Sequence, residues 1–596
     1  MKSLFNGNHH FYDTSSKFET YRYKCRERIV AEIWGLANTN GRPVDTVDHN
    51  HLVWIGTLEQ TLALATKRRQ KTTYVRLSTR TFFGPGLLRR TFDVLRGHTL
   101  YDLGYVGNYV KEVEALDRLT PSPLLSQIMH PEPEPESKIQ VFDGCNESQS
   151  EAISQIGKKL VLIQGPPGTG KSTTIANGIR HTLPCGSRAL VVSERNQAIC
   201  AIAEKLPNIV IAGNAEILRE KMPHLNHLFL MTMVDAKIPD LVREEEKVNR
   251  LMTFQQLLEY ASMLPDVYET YKMKAYPLHD LLNHRDEKRF AAKYGEGSGV
   301  QALQMYWKKL MNWKRYRIEE QILDDASVVV CTISTAHRPL IRALKFHSIY
   351  VDEAATVREE SMPVLVQMQP ESLILVGDHF QLGPFTHKTT RIVSLFERCA
   401  KTIRPIMLRH NYRNPKCLVR VMNKLVYGDK LIGCNDTEGH IIWYDNNHEE
   451  TGSPSKKNEG EAHEIVAEYN KIKGTGSIII TSFYGDQVRL IRDLTKLARG
   501  DKIVSVDSCQ GSEADIIMIS CVRNGQTIGF CKDMQRFNVA ISRAKKKLLV
   551  FGNKDTFLAN RMFKQLESET KTETKAESMS LLERAQMQLG SLREHL

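Results

Sequence analysis

The stretch LVLIQGPPGTGKSTTIANGIRHTL, Leu160 to Leu183, decides the fold of this 596-residue chain. It opens with an apolar run of strand length, continues through a glycine-rich turn and ends in a helix-prone segment. Its central residues, GPPGTGKS, match the spacing G-x-x-x-x-G-K-[ST] directly after the strand and directly before the helix. This order predicts a phosphate-binding loop carried by a parallel α/β sheet.

The residue types in this loop suit a nucleoside triphosphate with Mg²⁺. Glycines let successive backbone N–H groups curve around phosphates, and the helix N-terminus adds partial positive charge. Lys171 is expected to reach the β- and γ-phosphates, and Ser172 to give an oxygen to Mg²⁺. The predicted nucleotide-binding loop residues are Gly165, Pro166, Pro167, Gly168, Thr169, Gly170, Lys171, Ser172 and Thr173.

A second signal is the pair Asp352 and Glu353, which follows the apolar run HSIYV. A carboxylate at a strand end opposite a phosphate loop is a suitable ligand for Mg²⁺, and its neighbour can orient or deprotonate an attacking water. We therefore predict Asp352 as a metal ligand with Ser172, and Glu353 as a catalytic group. The alternative is that Asp352 and Glu353 are only solvated residues at a strand end, and the presence of a phosphate loop in the same chain disfavours it.

Composition narrows the class of protein. Hydrophobic residues make up 41% and charged residues 25% of the chain, which is typical of globular proteins and predicts about three to five domains. The net charge of +12 favours a polyanionic partner, although an ordinary basic enzyme fits equally well. No apolar run reaches the roughly 18 residues of a membrane span, and no secretory signal opens the sequence, so we expect an intracellular protein of cytoplasm or nucleus.

Cysteine and histidine usage predicts no metal centre beyond Mg²⁺. The 11 cysteines are scattered without a C-x-x-C pair, and the 20 histidines show no metal-ligand spacing. We therefore expect reduced thiols, with neither a disulfide framework nor a structural zinc module.

The pattern of strands and helices along the chain predicts its organisation. The segment PEPEPES should be a semi-rigid connector, because proline fixes extended geometry. After it, strands alternate with helices in two series, which indicates two parallel-sheet α/β domains. The predicted parts are an N-terminal region with a β-rich accessory domain, 1–130; the linker, 131–137; a first α/β domain, 138–405, with a helical insertion, 212–325; a second α/β domain, 406–560; and a charged tail, 561–596.

Four further segments resemble the motifs of superfamily 1 helicases in order and spacing. VGDHFQLGP, from Val376, is similar to motif III, and LRHNYRNP, VDSCQGSEAD and RFNVAISRAK are similar to motifs IV, V and VI. NESQSEAI, from Asn146, and SKKNEGEAHEI, from Ser455, resemble segments of the up-frameshift group, which includes the nonsense-decay helicase, senataxin and the immunoglobulin-mu-binding helicase. The resemblance covers roughly residues 140 to 555.

The resemblance implies two tandem RecA-like domains of the P-loop NTPase type, with ATP hydrolysed in the cleft between them. It also implies roles for single residues. Gln149 would bind the adenine edge, Tyr412 would stack near the base and Glu513 would contact the ribose. Gln381 would sense the γ-phosphate. Arg413 and Arg543 would act as arginine fingers, which suits the charge on a transferring phosphoryl group.

Three positions depart from the family pattern. Thr356 stands where many relatives have Gln, Asn411 stands where motif IV usually has Gln, and motif Ia reads VVSERNQAI. The lysine, both carboxylates and both arginines are retained, so we expect an active ATPase.

The resemblance also implies contacts to a nucleic-acid strand at sheet edges, from Ser193, Asn196, Thr332, Ser334 and Thr481. Ordinary loop capping is the alternative for these residues.

The helix-prone segment MYWKKLMNWKRYRIEE, from Met305, can stack bases and follow phosphates. A buried helical stripe is the stronger reading of it. A basic cluster around Lys67 to Arg90 fits a strand-binding face or a solvated face equally.

We therefore predict an ATP-dependent helicase or translocase on single-stranded nucleic acid. RNA and 5′-to-3′ movement are favoured by analogy, with protein partners in an RNA-processing or surveillance complex and no membrane. Two alternatives stay open: an RNA-binding scaffold or clamp that uses ATP as a conformational latch, and a DNA repair or replication helicase.

Overall fold

The computed structural model describes most of the chain outside the N-terminal region. Its described residues are 17–40, 42–44, 51–55, 61–69, 72–76, 100–105, 107–194, 196–239, 298–386, 392–452 and 455–570. They form two compact units. The first comprises Met1–Thr182, Tyr350–Gln367 and Glu371–Leu596, and the second comprises Leu183–Ile349 and Met368–Pro370. Among the described helices, none is both long and apolar enough to cross a lipid bilayer.

The N-terminal region holds an antiparallel sheet between two helices. Helix α1, Lys17–Asn40, leads into strands β1 to β5, and helix α2, Gly107–Arg118, follows them and packs against α1. The strand order is β1-β5-β2-β3-β4. The five strands are Arg42–Val44, His51–Ile55, Thr61–Arg69, Thr72–Arg76 and Leu100–Tyr105. Of the predicted basic cluster, Lys67 lies in β3 and Arg76 ends β4, whereas Lys71, Arg80, Arg89 and Arg90 lie outside the described residues.

The proline-rich linker is bound along its length to the first α/β layer. After helix α3, Pro123–Met129, the chain forms neither helix nor strand before helix α4, Glu147–Ser154. The backbone N–H of Ser137 donates to Gln155 Oε1 at 3.0 Å, and the N–H of Lys159 donates to Glu134 Oε1 at 3.0 Å. The connector is therefore held by the turn between α4 and the next strand.

The phosphate loop lies between strand β6, Leu160–Gln164, and helix α5, Lys171–Thr182. Every residue of β6 is buried, because the strand lies between two parallel neighbours. These neighbours are β11, Ser372–Gly377, and β12, Ile406–Met407. The predicted strand, loop and helix are thus confirmed.

The second unit contains three parallel strands in the order β7-β9-β8. They are β7, Ala189–Ser193; β8, Ile209–Ala212; and β9, Val328–Thr332. The described residues between β8 and β9 are helical, as the insertion was predicted to be, and residues 240–297 lie outside the description. The helices of this unit are α6, Asn196–Ala203; α7, Ala215–Lys221; a 3₁₀ helix, Pro223–Leu228; α8, Leu230–Lys237; α9, Ser298–Asp325; α10, Ile333–Ala336; and α11, Pro339–Arg342.

The aromatic and basic segment predicted from Met305 lies in α9, where two of its residues make internal contacts. Arg315 Nε lies 3.4 Å from Asp235 Oδ1 of α8, and the Arg317 guanidinium lies over the Trp313 ring at 6.0 Å. Trp313 is half-buried and Tyr316 is exposed. These contacts support the interpretation of α9 as a packing helix of the insertion.

Strand β10, Ser348–Val351, carries the chain from the second unit back into the first. Two 3₁₀ turns follow, Ala354–Thr356 and Glu359–Ser361, and the second of them is tied to the N-terminal helices. Arg28 of α1 contacts Glu360 Oε1 at 2.9 Å, and Arg358 contacts Glu112 Oε1 of α2 at 2.5 Å. Further helices are α12, Pro363–Val366, and α13, Leu395–Cys399.

The C-terminal part of the first unit is a second parallel sheet, in the order β15-β19-β18-β16-β17. Its strands are β15, His440–Tyr444; β16, Ile478–Ser482; β17, Lys502–Ser505; β18, Ala514–Ser520; and β19, Ala544–Phe551. A two-stranded pair, β13, His410–Asn411, and β14, Ile432–Gly433, precedes it. Its helices are α14, Lys416–Met422; a π-helix, Asn423–Tyr427; α15, Glu459–Ile472; α16, Gly485–Leu494; α17, Val506–Cys509; a 3₁₀ helix, Gly529–Lys532; α18, Met534–Ile541; α19, Lys554–Phe557; and α20, Arg561–Glu567.

Apolar side chains on both faces of this second sheet are fully buried. Helix α20 contributes Phe563 to one face, where its ring meets the rings of Trp443, Phe537 and Phe557 at centroid distances of 4.7–6.0 Å. Two parallel α/β sheets are therefore present, as the alternation of strands and helices predicted.

Candidate ATP-binding and hydrolysis site

Glycine is required at several points of the phosphate loop. Gly168 and Gly170 have φ values of +70° and +84°, in the left-handed region that favours glycine. A Cβ added to Gly165 would lie 2.3 Å from Lys171 Cγ, and one added to Gly168 would lie 2.5 Å from Arg413 Cβ. The loop is thus shaped by the absence of side chains, which suits a backbone that curves around a phosphate chain.

Lys171 lies between the loop and the second carboxylate. Its Nζ donates to the Gly165 carbonyl at 3.1 Å and lies 3.7 Å from Glu353 Oε1. Both side chains are largely buried, with 14% and 17% of their surfaces exposed. The predicted phosphate-binding amine and the predicted general base are therefore brought together.

Asp352 is buried at the end of β10 and fits a metal ligand. Its Oδ1 accepts a hydrogen bond from the Glu353 N–H at 3.0 Å. Burial, reinforced by the charge of Glu353, raises the pKa of Asp352 to about 7, against the opposing effect of Lys171. A buried carboxyl group with a second carboxylate beside it is stabilised as an anion by a divalent cation, so the donor set fits Mg²⁺.

Glu353 has a backbone conformation that few non-glycine residues adopt. Its φ and ψ are +54° and +36°, in the left-handed region. The N–H and the Oγ1 of Thr356 both donate to the Glu353 carbonyl, at 2.8 and 2.9 Å. Thr356, which departs from the family pattern, thus helps to hold the strained residue in place.

Motif III forms a buried chain of hydrogen bonds centred on Asp378. Its Oδ2 accepts from Gln381 Nε2 at 3.0 Å and from the Tyr427 hydroxyl at 2.6 Å. Gln381 Oε1 in turn accepts from Arg543 Nη2 at 2.6 Å. The predicted γ-phosphate sensor and the predicted finger of motif VI are directly hydrogen-bonded.

Arg543 is buried, with 2% of the residue exposed, and its environment disfavours the protonated form of its guanidinium. Burial, followed by the like charge of Arg413, lowers the pKa of Arg543 to about 10. The effect of Arg413 indicates that the two predicted fingers lie close enough to repel each other. Two guanidinium groups at this place suit an anionic phosphate.

Arg413 and Glu513 form an ion pair next to the loop. Arg413 Nε and Nη2 both lie 2.6 Å from Glu513 Oε2, and Lys545 Nζ lies 2.6 Å from Glu513 Oε1. Burial acts to raise the pKa of Glu513, but the two cations outweigh it and the pKa is lowered. Glu513, predicted to contact the ribose, is thus an anion that already holds the predicted finger.

The predicted adenine-side residues lie around the start of α4. Gln149 Oε1 accepts from the Asn146 N–H at 3.1 Å, and Asn146 Oδ1 accepts from the Gln149 N–H at 2.9 Å, which is a reciprocal capping box. The Tyr412 hydroxyl accepts from Asn146 Nδ2 at 2.9 Å, and Tyr412 is 53% exposed. The structure therefore places Gln149 and Tyr412 on either side of Asn146.

The candidate strand contacts fall into both units. Ser193 and Thr332 lie opposite each other at the ends of β7 and β9. Thr332 caps α10 through the Thr335 N–H, so the capping alternative is realised there; Ser334 lies within the same helix, and Asn196 is the first residue of α6. Thr481 belongs to the first unit and is 1% exposed, and its hydroxyl has no hydrogen-bond partner among the described residues.

Several residues of the site were not predicted individually. Asp378 and Asn538 lie within the motif segments GDHFQ and RFNVAISRAK, whereas Tyr427, whose hydroxyl accepts from Asn538 Nδ2 at 2.9 Å, lies outside every motif. The capping box at Asn146 and Gln149 could have been predicted from the sequence, because the two residues stand three positions apart at the start of a helix-prone segment.

Known proteins are similar to this chain over the segment that builds the site. Two family models, each described as an AAA domain, match residues 144–405 and 392–555. A regulator of nonsense transcripts 1 homolog of Neurospora crassa is 29% identical over 451 residues, 68% of this chain and 37% of that protein. An uncharacterized ATP-dependent helicase of Methanocaldococcus jannaschii is 27% identical over 503 residues, 74% of this chain and 72% of that protein.

The first of these relatives is much longer than the segment matched, so the chain spans little more than a third of it. Among solved structures, that of Arterivirus nonstructural protein 10 (helicase) aligns with a TM-score of 0.35 and 11% identity, covering 91% of this chain and 82% of that one. Likeness at this level carries no argument about function.

Proposed function

The chain belongs to the superfamily 1 helicases of the up-frameshift-like group, with tandem RecA-like domains, and on that premise we propose that it hydrolyses ATP to move along single-stranded nucleic acid. The hydrogen bond from Arg543 Nη2 to Gln381 Oε1 carries this proposal. This bond joins an arginine of the second α/β domain to Gln381, which we propose as the γ-phosphate sensor. A change in the bound nucleotide would therefore change contacts in both domains.

The residues of the cleft divide the work of hydrolysis. Lys171 exchanges the Gly165 carbonyl for phosphate oxygens, and Glu353 orients the attacking water and accepts its proton. Mg²⁺, held by Asp352 and Ser172, would neutralise charge on the phosphates when bound. Arg413 and Arg543 stabilise the charge of the transferring phosphoryl group.

Movement follows from the way the motif IV turn contacts the phosphate loop. The Tyr412 N–H donates to the Gly168 carbonyl at 2.9 Å, and Arg413 packs against Gly168. Binding of ATP favours this contact because the fingers then face a phosphate, and loss of the γ-phosphate weakens it. Alternation between the ATP-bound arrangement and the arrangement after loss of the γ-phosphate would move the bound nucleic-acid strand in steps.

We propose RNA as the substrate and 5′-to-3′ as the direction. The relative from Neurospora crassa is described as a regulator of nonsense transcripts, which favours RNA and partners in an RNA-processing or surveillance complex in cytoplasm or nucleus. A clamp that uses ATP as a conformational latch would use the same site, but it would bind RNA with little ATP hydrolysis. A DNA helicase would use the same site and act on DNA instead of RNA.

Unwinding of tailed duplexes tests this proposal. RNA and DNA duplexes with a 5′ or a 3′ single-stranded tail are mixed with the full chain, ATP and Mg²⁺, and Lys171→Ala is the control. Displacement of only the 5′-tailed RNA duplex by the unsubstituted chain supports every part of the proposal. Displacement of DNA alone transfers the function to the second alternative, and tight RNA binding without displacement or turnover supports the latch.

A further inference from the structure

A sulfur, a nitrogen and an oxygen ligand atom converge on the surface of the second unit. Cys200 lies in α6, Glu204 follows that helix, and His224 lies in the 3₁₀ helix Pro223–Leu228. Their donor atoms all lie within 4.8 Å of one another. No sequence motif marks this group, because Glu204 and His224 lie 20 positions apart along the chain.

The distances within the group suit one ion. Cys200 Sγ lies 3.8 Å from His224 Nε2 and 3.6 Å from Glu204 Oε1, and the nitrogen and oxygen are 2.9 Å apart. Tetrahedral zinc bonds would place sulfur about 3.6 Å from each of the other atoms, and nitrogen about 3.3 Å from oxygen. No pair has to change by more than about half an ångström.

The donor types select the metal. Mg²⁺ and Ca²⁺ prefer oxygen ligands only, whereas a thiolate, an imidazole and a carboxylate together suit Zn²⁺. The side chains of His224 and Glu204 are 57% and 51% exposed, so water can fill the fourth position. We propose that Cys200, Glu204 and His224 form a three-ligand Zn²⁺ site.

Binding there involves a defined proton transfer. In the structure the Cys200 thiol donates to Glu204 Oε1. Formation of the zinc–sulfur bond releases that thiol proton to solvent.

The position of the site gives it a structural consequence. Helix α6 begins three residues after Ser193, a candidate strand contact, whereas the 3₁₀ helix lies in the helical insertion. Both belong to the second unit. Zinc would therefore fasten the insertion to the helix that follows motif Ia, because it bonds to both segments.

The test is metal binding by the full chain after removal of metals with a chelator. Co²⁺ serves as a spectroscopic probe of thiolate coordination, and Zn²⁺ affinity is measured by competition with a chromophoric chelator. The variants Cys200→Ser and His224→Asn remove ligands, and Cys185→Ser and His227→Asn, both at exposed positions, are matched controls.

We expect one Co²⁺ per chain with a thiolate-to-metal charge-transfer band. Each ligand variant should bind Zn²⁺ at least about 100-fold more weakly, a larger loss than outer-shell partners typically cause. The controls should bind as the unsubstituted chain does, and all four variants should keep its metal-free thermal midpoint. Absence of the band, its persistence in Cys200→Ser, or equal losses in the controls would overturn the site and leave a hydrogen-bonded pair of His224 and Glu204.

Discussion

The side-chain amide of Asn411 donates from Nδ2 to the carbonyl of Pro167 at 2.8 Å, fastening the motif IV turn to the phosphate loop. Asn411 Oδ1 accepts from the N–H groups of Arg413 and Asn414 at 3.1 and 2.8 Å. Asn414 Nδ2 donates to the carbonyls of Ser542 and Ala544 at 3.0 and 2.9 Å. One fully buried asparagine thus sets the position of Arg413 relative to the loop, at a site where the family usually has Gln.

Asn411→Ala should lower kcat for ATP hydrolysis by about 100-fold, because the substitution frees the turn that carries Arg413, and misplacement by about 1 Å has an effect of this size. Buried N–H groups also lose their acceptor, so the thermal midpoint should fall. Steady-state kinetics with Asn470→Ala, an exposed position on α15, gives the control. Unchanged turnover in Asn411→Ala would show that the turn positions itself without this side chain.

Arg543→Lys should lower kcat by about 1000-fold or more while leaving the ATP KM within a few-fold, because an arginine finger acts mainly in the transition state. Lysine keeps the charge but loses the fork that reaches Gln381. Arg489→Lys, on the exposed face of α16, is the control. A rise in KM at constant kcat would assign Arg543 to ground-state binding instead.

Glu461 should make the stability of the second α/β domain depend on pH. It is fully buried, accepts from the Val522 N–H at 3.0 Å and from Ser520 Oγ at 2.5 Å, and supports Val522 at a left-handed φ of +69°. Burial raises the pKa of Glu461 from 4.5 to about 8. The folded chain therefore binds more protons than the unfolded chain between these values, so this carboxyl reduces stability as pH rises through them.

Glu461→Gln removes that titration while keeping the shape of the side chain. Between about pH 6 and about pH 8, the thermal midpoint of the unsubstituted chain should fall more steeply than that of the variant. Scanning fluorimetry across the range makes the comparison. Parallel slopes would mean that Glu461 does not titrate in this window.

Glu112→Ala should destabilise the first unit by about 3–5 kcal/mol, because it removes the buried carboxylate that pairs with the guanidinium of Arg358 at 2.5 Å. Glu112 Oε1 also accepts from Ser361 Oγ at 2.6 Å, so a second donor is left unsatisfied. Thermal denaturation of Glu114→Ala, a half-exposed residue of the same helix paired with Arg118 at 3.6 Å, should show a change below about 1 kcal/mol. Equal effects from the two variants would contradict the structural role of the buried pair.

The chemistry of the site was predictable to the extent that it lies in short, ordered motifs. Gly165 to Ser172 requires a strand before it and a helix after it, and the structure has both. The carboxylates, Gln381 and the two arginines were also identified from their motifs, since each motif fixes a residue type at a set spacing. Gathering of Lys171 with Glu353 follows from strand ends that meet at one sheet edge. The contact of Gln381 with Arg543 does not, because Gln381 follows β11 and Arg543 precedes β19 of the other sheet.

Contacts that join distant segments were not predictable. The pairing of Glu112 with Arg358 and the convergence of Cys200 with His224 depend on how helices pack, which hydrophobic periodicity does not specify. The linker after residue 130 was predicted to be a semi-rigid connector, and its hydrogen bonds to Gln155 and Lys159, in the turn between α4 and β6, were not predicted. The bond of the Ser137 N–H is partly buried, and backbone groups in such a place need partners.

The most direct test of the central claim is steady-state ATP hydrolysis by the full chain with no polymer, with single-stranded RNA and with single-stranded DNA, alongside Glu353→Gln. We expect strong stimulation of ATP hydrolysis by RNA, and loss of that stimulation in Glu353→Gln with ATP binding retained. Hydrolysis that is indifferent to polymer, or that survives in Glu353→Gln, would contradict the proposal that this cleft drives movement along a nucleic-acid strand.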